Sequence, residues 1–263
     1  MRGYCRSKLI AFWSGDRRVF SVVRVPPEAV EAVRRLERER ECLVSEQTDH
    51  KNRIHSLLAL EGHLNVTIDR RLPQRLAKLR RWDGAALPHE LVAEIEREFA
   101  RLEQVREQRH AVEAEQRRRV DASDDEVMEV VRMLERLKGV GRTSAWVLAL
   151  EMLGWRCLSN RKQVAALAGL APTPYASGST DHEQGIDKHG NRRVRAVMIE
   201  LAWRWLRWQP DSELSRWFLR RYSGASRRQR RIGIVALARR LLVALWRYTA
   251  HGELGRDVVL SVS

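Results

Sequence analysis

The residues best equipped for chemistry lie in one polar stretch, Thr173 to Gly190, which reads TPYASGSTDHEQGIDKHG and has helical apolar periodicity on both sides. It holds Ser177 between Ala176 and Gly178, with His182, Lys188 and His189 following and Arg192, Arg193 and Arg195 just beyond. A serine hydroxyl can attack a phosphodiester only if one group takes its proton and a positive group stabilises the charge that builds on the five-coordinate phosphorus. The stretch supplies both kinds of group. A structureless loop of this length inside a compact domain is usually functional or mobile. Yet Ser-Gly-Ser-Thr is also an ordinary turn composition, and the histidines fit a plain surface. Local pattern leaves both readings of Ser177 open.

The surroundings of this stretch are basic. The chain of 263 residues carries 49 Lys plus Arg against 34 Asp plus Glu, a formal net charge of +15. From Lys188 to Arg247 there are sixteen Lys or Arg and three acids, Glu200, Asp211 and Glu213, a surplus of thirteen confined to the C-terminal third. Within it SRRQRR sets Arg227, Arg228, Arg230 and Arg231 around one short stretch. A like-charge block by itself is more often a solvated face than a binding site. Inside this surplus, and interleaved with Trp203, Trp205, Trp208, Trp217 and Trp246, it points to nucleic acid. The tryptophans themselves are expected in the core, because their spacing suits buried helix faces and each buries a large area.

The elements that must position these groups are helical. Over residues 28–60, after Pro26 and Pro27, Val33, Leu36, Arg40, Leu43, Gln47, His50, Ile54 and Leu57 recur at steps of three and four, a heptad seam with three polar members. A second run from about Glu90 to Arg119 sets Leu91, Ile95, Phe99, Leu102, Val105 and Val112 on one side. The two predict an antiparallel helical hairpin or coiled coil over 28–120, with the polar positions setting register or oligomer state. Before it, Arg17, Arg18 and the run Val19 to Val25 read as one strand or an extended connector. After it, Ser123 and Glu126 have capping-box spacing ahead of the stripe Val127, Val131, Leu134 and Leu137, so a helix starts here and ends before Gly139. Gly139-Val140-Gly141 and a helical run from Thr143 to Leu153 complete a helix-hairpin-helix pattern, in which glycines allow close approach to a phosphate at a helix start. A glycine-terminated helix meeting another helix fits equally well. The fold class expected is therefore mainly α: residues 1–27 a connector, 28–120 the hairpin, and 121–263 a helical domain with a long functional loop.

Composition excludes several classes. Hydrophobic residues at 44% provide a packed core, too much apolar material for a chain disordered throughout. Three scattered cysteines, Cys5, Cys42 and Cys157, support neither a disulfide scaffold nor a cysteine-based zinc site. No apolar run reads as a signal peptide or membrane span, which places the chain in a reducing cytosol, where the obvious polyanions are nucleic acids.

At this point a family resemblance can be read from specific stretches. LERLKGVGRTSAWVLALEM, RKQVAALAGLAPTPYASGST, GIDKHGNRRVRAVMIELAWR, QPDSELSRWFLRR and IVALARRLLVALWRY resemble the C-terminal half of transposases of insertion-sequence family 110, its 1111 branch in particular, over about residues 125 to 250. The upstream GDRRVFSVVRVP and the heptad helices resemble the family's middle region. The combination of GLAP, SG, KxGN and a tryptophan-rich tail carries the specificity.

The resemblance implies a two-part recombinase. Its N-terminal RuvC-like domain would hold four carboxylates for a divalent metal, Mg2+ in a full-length relative. A coiled coil then leads to a domain whose nucleophilic serine corresponds to Ser177. In the family that serine links covalently to DNA, in a site completed by carboxylates of another protomer, while a structured noncoding guide RNA selects donor and target. Lys188, Asn191, Arg192 and Arg195 match the basic segment after the serine, with Arg193 among them, and are assigned phosphate contact or positioning. Gly139, Gly141, Arg227, Arg228, Arg230 and Arg231 complete the expected nucleic-acid contacts.

The departure from the family concerns the metal. No acidic residue precedes Asp16, so no metal ligand or cofactor is expected in this chain. The expectation is a truncated copy, a decayed element or a frame whose start lies upstream. It would be a homo-oligomeric, nucleoid-associated cytoplasmic transposase inactive alone, or alternatively a non-catalytic nucleic-acid-binding dimer or regulator.

Overall fold

A computed structural model describes residues 2–16, 19, 24–177, 180–187 and 189–261, with 2–6, 172–177 and 180–184 described by their backbone alone. The chain is mainly helical, as its periodicity requires. After α1 (Arg2–Trp13) come the two long helices, α2 (Glu28–Leu60) and α4 (His89–Ala122), with the short α3 (Leu72–Leu76) between them. Of the run read as a strand or connector, residues 20–23 lie outside the described residues, as do Arg17 and Arg18.

α2 and α4 pack as an antiparallel arm. Leu43 meets Val105 and Val112 near one end. Ile54 and Leu58 meet Ile95 and Leu102 towards the other, where Ile68, Leu72 and Leu76 of the connecting segment close the tip. Every position of the predicted seam is buried or half-buried. Its polar members are held by specific partners: Arg40 donates to Glu37, which also accepts from Gln116 of α4 at 2.9 Å, and His50 Nδ1 lies 2.7 Å from Glu98. Such pairs suit one register and leave unpaired polar groups in any other.

Glu98 makes the arm sensitive to acid. Burial pushes its carboxyl pKa up, but hydrogen bonds from His50 and Arg53 and the charges of Arg53 and Arg101 outweigh this and hold it below the ordinary glutamate range. A folded value below the unfolded one means that the carboxylate stabilises the arm above the ordinary pKa, about 4.3. The contribution is lost as pH falls through the folded value. Thermal unfolding of the full chain, followed by its helical signal from neutral pH into acid, is expected to show Glu98→Gln losing less stability across that window than the wild type, after starting about 1–2 kcal/mol lower.

The root of the arm docks on a helical domain. Val30, Val33, Leu36 and Val120 join one continuous core with α5 (Glu126–Glu135), α6 (Arg142–Leu148) and its continuation as a π turn (Ala149–Leu153), and α7 (Arg161–Leu167). The same core takes in α8 (Arg192–Trp208), α9 (Glu213–Tyr222) and α10 (Arg227–His251). The stripe Val127, Val131, Leu134 and Leu137 is buried as expected. The cap, however, falls on Asp125, which accepts from Val127 N at 3.1 Å. Ser123 has extended backbone and ends α4, so its hydroxyl reaches Asp125 N and not the third helical amide that a capping box needs.

The expected loop is also ordered differently. Residues 172–186 form an antiparallel hairpin, β1 (Pro172–Ser177) and β2 (Thr180–Ile186), with Tyr175 opposite His182 and Ser177 opposite Thr180. One extra residue on β2 is absorbed near Gly185, whose φ of +88° suits a bulge. Pro172 and Pro174 are tolerated because a two-stranded sheet consists only of edges. Among the described residues no helix is long and apolar enough to cross a membrane.

Candidate nucleic-acid interface and serine hairpin

The foot of the hairpin is built by two glycines. α7 ends in a left-handed Gly169, whose amide bonds Ala166 O while Leu170 N bonds Ala165 O, a Schellman-type stop that anchors Leu170 in the core. The chain then enters β1, returns along β2, and passes Asp187 and Gly190 into α8. Asp187 N donates to Ala171 O at 2.8 Å and Asn191 N to Leu167 O at 2.7 Å, so both strand ends are tied to the end of α7. Gly169 and Gly190 meet back to back. A methyl on Gly190 would meet Gly169 N and approach Leu167 O at 2.5 Å, and one on Gly169 would sit 2.6 Å from Asp187 O. These are the glycines of GLAP and KxGN, so the two motifs form one structural joint.

The start of α8 is equally constrained. Asn191 caps it by accepting from Arg193 N and Val194 N, and its amide nitrogen donates to Glu151 at 2.8 Å. Glu151, buried in the π turn, also takes the guanidinium of Arg34 from α2. Arg193 donates to Glu41 of α2 at 2.8 Å, a bond that raises its pKa. Asn191 and Arg193 therefore lock arm, π turn and hairpin foot together. Arg195 reaches Ala168 O at 3.5 Å, and Arg192 is exposed. Asp187 accepts from the His189 amide and then from its ring, which together hold its carboxyl below the ordinary range. Lys188 lies outside the described residues. For Ser177 the backbone is placed at the end of β1, next to turn residues 178 and 179, which lie outside the described residues.

The glycine turn between α5 and α6 is packed. Gly139 has φ +95°, and a methyl there would meet Trp208 Cβ at 3.0 Å; Val140 is buried, and the Cβ position of Gly141 lies 3.8 Å from an Arg204 nitrogen. Close approach of α8 accounts for Gly139 without a ligand.

The basic block has a different character. Arg227, Arg228, Arg230 and Arg231 are exposed on the first turn of α10, and among the described residues none pairs with a carboxylate. A capping box of Ser226 and Gln229 fixes that helix start. Of the interleaved tryptophans, Trp205 and Trp246 are buried and Trp217 lies half-buried under Arg240. Trp203 and Trp208 instead remain 46% and 44% exposed. The expectation that all five are core fails for these two because the buried face of α8 runs through Met198, Leu201, Ala202 and Trp205. At about 100° per residue, Trp203 falls on the far side from Leu201 and Trp205.

Sequence reasoning missed Glu151 and the pairing of Gly169 with Gly190. The available signal for the glycines was one at each end of the polar stretch. Among the described residues no three His, Cys, Asp or Glu side chains converge to hold a metal. The magnesium implied by the family does not fit the groups present, and no step is assigned to it.

In class, this is a helical arm joined to a basic helical domain that carries a pinned β-hairpin. The transposase family IS116/IS110/IS902 matches residues 131–215, which span α6, the hairpin and α8. The protein y4rJ of Sinorhizobium fredii (strain NBRC 101917 / NGR234), named provisionally as a transposase, is 44% identical over 263 residues, covering 96% of this chain and 66% of its own length. The transposase of insertion sequence element IS1328 from Yersinia enterocolitica is 27% identical over 179 residues, covering 66% of this chain and 50% of its own. The chain belongs to this IS110-type transposase family, and it spans about two thirds or less of these relatives.

Proposed function

We propose that the chain is the DNA-handling portion of an insertion-sequence transposase, with Ser177 as the attacking nucleophile and the arginines of α8 and α10 as phosphate contacts. The observation that carries this reading is the family match across residues 131–215, the region in which the hairpin bearing Ser177 is pinned by the Gly169–Gly190 joint. Attack is a transesterification. The bond from Ser177 Oγ to phosphorus forms as one deoxyribose oxygen leaves, and the proton lost by the hydroxyl is balanced by one gained at the leaving oxygen. Asn191, Arg193 and Glu151 act in this reading by holding the hairpin foot. Arg192 and Arg195 stand at the same helix start, and Gly139 and Gly141 bring the α5–α6 turn close to the backbone of bound DNA. Self-association through the arm and a structured RNA partner belong to the same proposal.

The electrostatic part is tested by titrating labelled duplex DNA with the full chain at several salt concentrations. Affinity is expected to fall steeply, with a log–log slope of about −0.9 per phosphate neutralised. Replacing Arg227, Arg228, Arg230 and Arg231 by Ala should weaken binding to all sequences alike and reduce the slope by roughly three. A slope near zero in the wild type would show that the basic surplus does not hold phosphate.

A further inference from the structure

Trp203 forms one wall of a cleft of about 440 Å³ whose other lining residues are Ala225, Arg227, Arg230 and Arg231. Its setting differs from that of the other tryptophans in this half of the chain. Trp146 is fully buried, Trp205 donates to Ser212 at 2.9 Å, and Trp155 donates to Leu150 O at 2.7 Å. Trp217 has Arg240 over its ring, Trp246 meets His251 edge-on, and Trp208 has both Lys138 and Arg207 within 6 Å of its ring centre, at 5.8 and 5.5 Å. Among the described residues the Trp203 ring has no aromatic or cationic partner, and its N–H has no acceptor. An indole left open beside three unpaired guanidinium groups presents an apolar face and anion-binding donors to the same small volume.

We propose that this cleft receives one unpaired DNA nucleotide, its base lying on the Trp203 indole and its flanking phosphates held by Arg227, Arg230 and Arg231. The proposal rests on the reading of the α10 start as a DNA-binding surface and adds the form of DNA that it selects. Guanidinium groups alone hold paired and unpaired strands alike, since both present phosphates. The indole face adds attraction only for a base that has left its own stack. The cleft volume lies in the ordinary range for small-molecule sites, roughly 300–1,000 Å³, and so admits a nucleotide. An acidic peptide would satisfy the arginines but leave the indole unused. The amide of Gln229 is already taken by the Ser226 hydroxyl, so the guanidinium groups carry the anion recognition.

The test compares, by fluorescence anisotropy with the full chain, a labelled DNA duplex with one of equal length carrying a short central gap of unpaired thymidines. The gapped DNA is expected to bind about five- to one-hundredfold more tightly than the paired one. Trp203→Ala should remove that preference without changing the salt slope, and Trp203→Phe should keep part of it. Arg227→Ala, Arg230→Ala and Arg231→Ala together should weaken both DNAs and flatten the slope. Because Trp203 is exposed, its variants should retain the helical signal of the wild type, which circular dichroism checks. Equal binding of gapped and paired DNA, a preference that survives Trp203→Ala, or an abasic gap bound as well as a thymidine gap each overturns the stacking site. A gapped duplex with RNA in its unpaired tract that binds more tightly than the DNA version overturns the assignment to DNA. Absence of salt-dependent binding to any of these is a different result, which removes the underlying DNA-binding reading itself.

Discussion

Ser177→Ala is expected to abolish covalent attachment to DNA while leaving DNA affinity within about twofold of the wild type. The substitution removes one oxygen from the end of β1 and touches none of the arginines on α8 or α10, so it separates chemistry from binding. The chain is assayed together with the carboxylate-bearing domain that the family resemblance implies, in a buffer containing a divalent cation. Labelled DNA is then resolved on a denaturing gel, and the linked peptide is mapped. A loss of at least a thousandfold is the expected scale, because no second group replaces the missing nucleophile and residual rates come only from binding and orientation. Ser179→Ala and Thr180→Ala should keep the adduct. An adduct that survives Ser177→Ala, or that maps to Ser179 or Tyr175, would show that the nucleophile is another residue. A protein that binds DNA tightly and never forms an adduct would be a binding module without chemistry.

Gly190→Ala is expected to be the most damaging single methyl in the hairpin region. The new Cβ would point into the backbone of Gly169 and Leu167, and backbone cannot rotate aside as a flexible side chain does. Either the foot of the hairpin opens or the end of α7 shifts, at a cost of about 4 kcal/mol or more. Urea unfolding of the full chain measures the loss, and amide exchange should show Asp187 and Asn191 losing protection because their bonds to Ala171 O and Leu167 O break first. Gly224→Ala is the control, since nothing lies within 4 Å of its Cβ position. A Gly190→Ala protein within about 1 kcal/mol of wild type would mean that the joint is slack. The same variant should also impair the adduct reaction with paired DNA affinity largely retained, because a hairpin that is loose at its foot cannot hold Ser177 in line with a phosphorus.

Periodicity by itself determined the arm and most of the core. Side chains three and four residues apart share a helix face whatever lies opposite, so Leu43, Ile54, Ile95 and Leu102 could be placed in the interface before any partner was known. The basic surplus was equally legible, because charge is a property of residue type. The polar stretch misled. Its turn-forming residues hid a hairpin, since pairing in a two-stranded sheet depends on register between segments and not on a period within either one. Tertiary structure alone decided which cations remain available. Arg193 is taken by Glu41 and Arg34 by Glu151, carboxylates 152 and 117 positions away in the chain, whereas no carboxylate among the described residues reaches Arg227, Arg228, Arg230 or Arg231. It also decided that Gly169 and Gly190 touch, and that Trp203 rather than Trp205 faces water. Each depends on what another part of the chain brings alongside, and a local pattern cannot name a neighbour supplied by a distant segment.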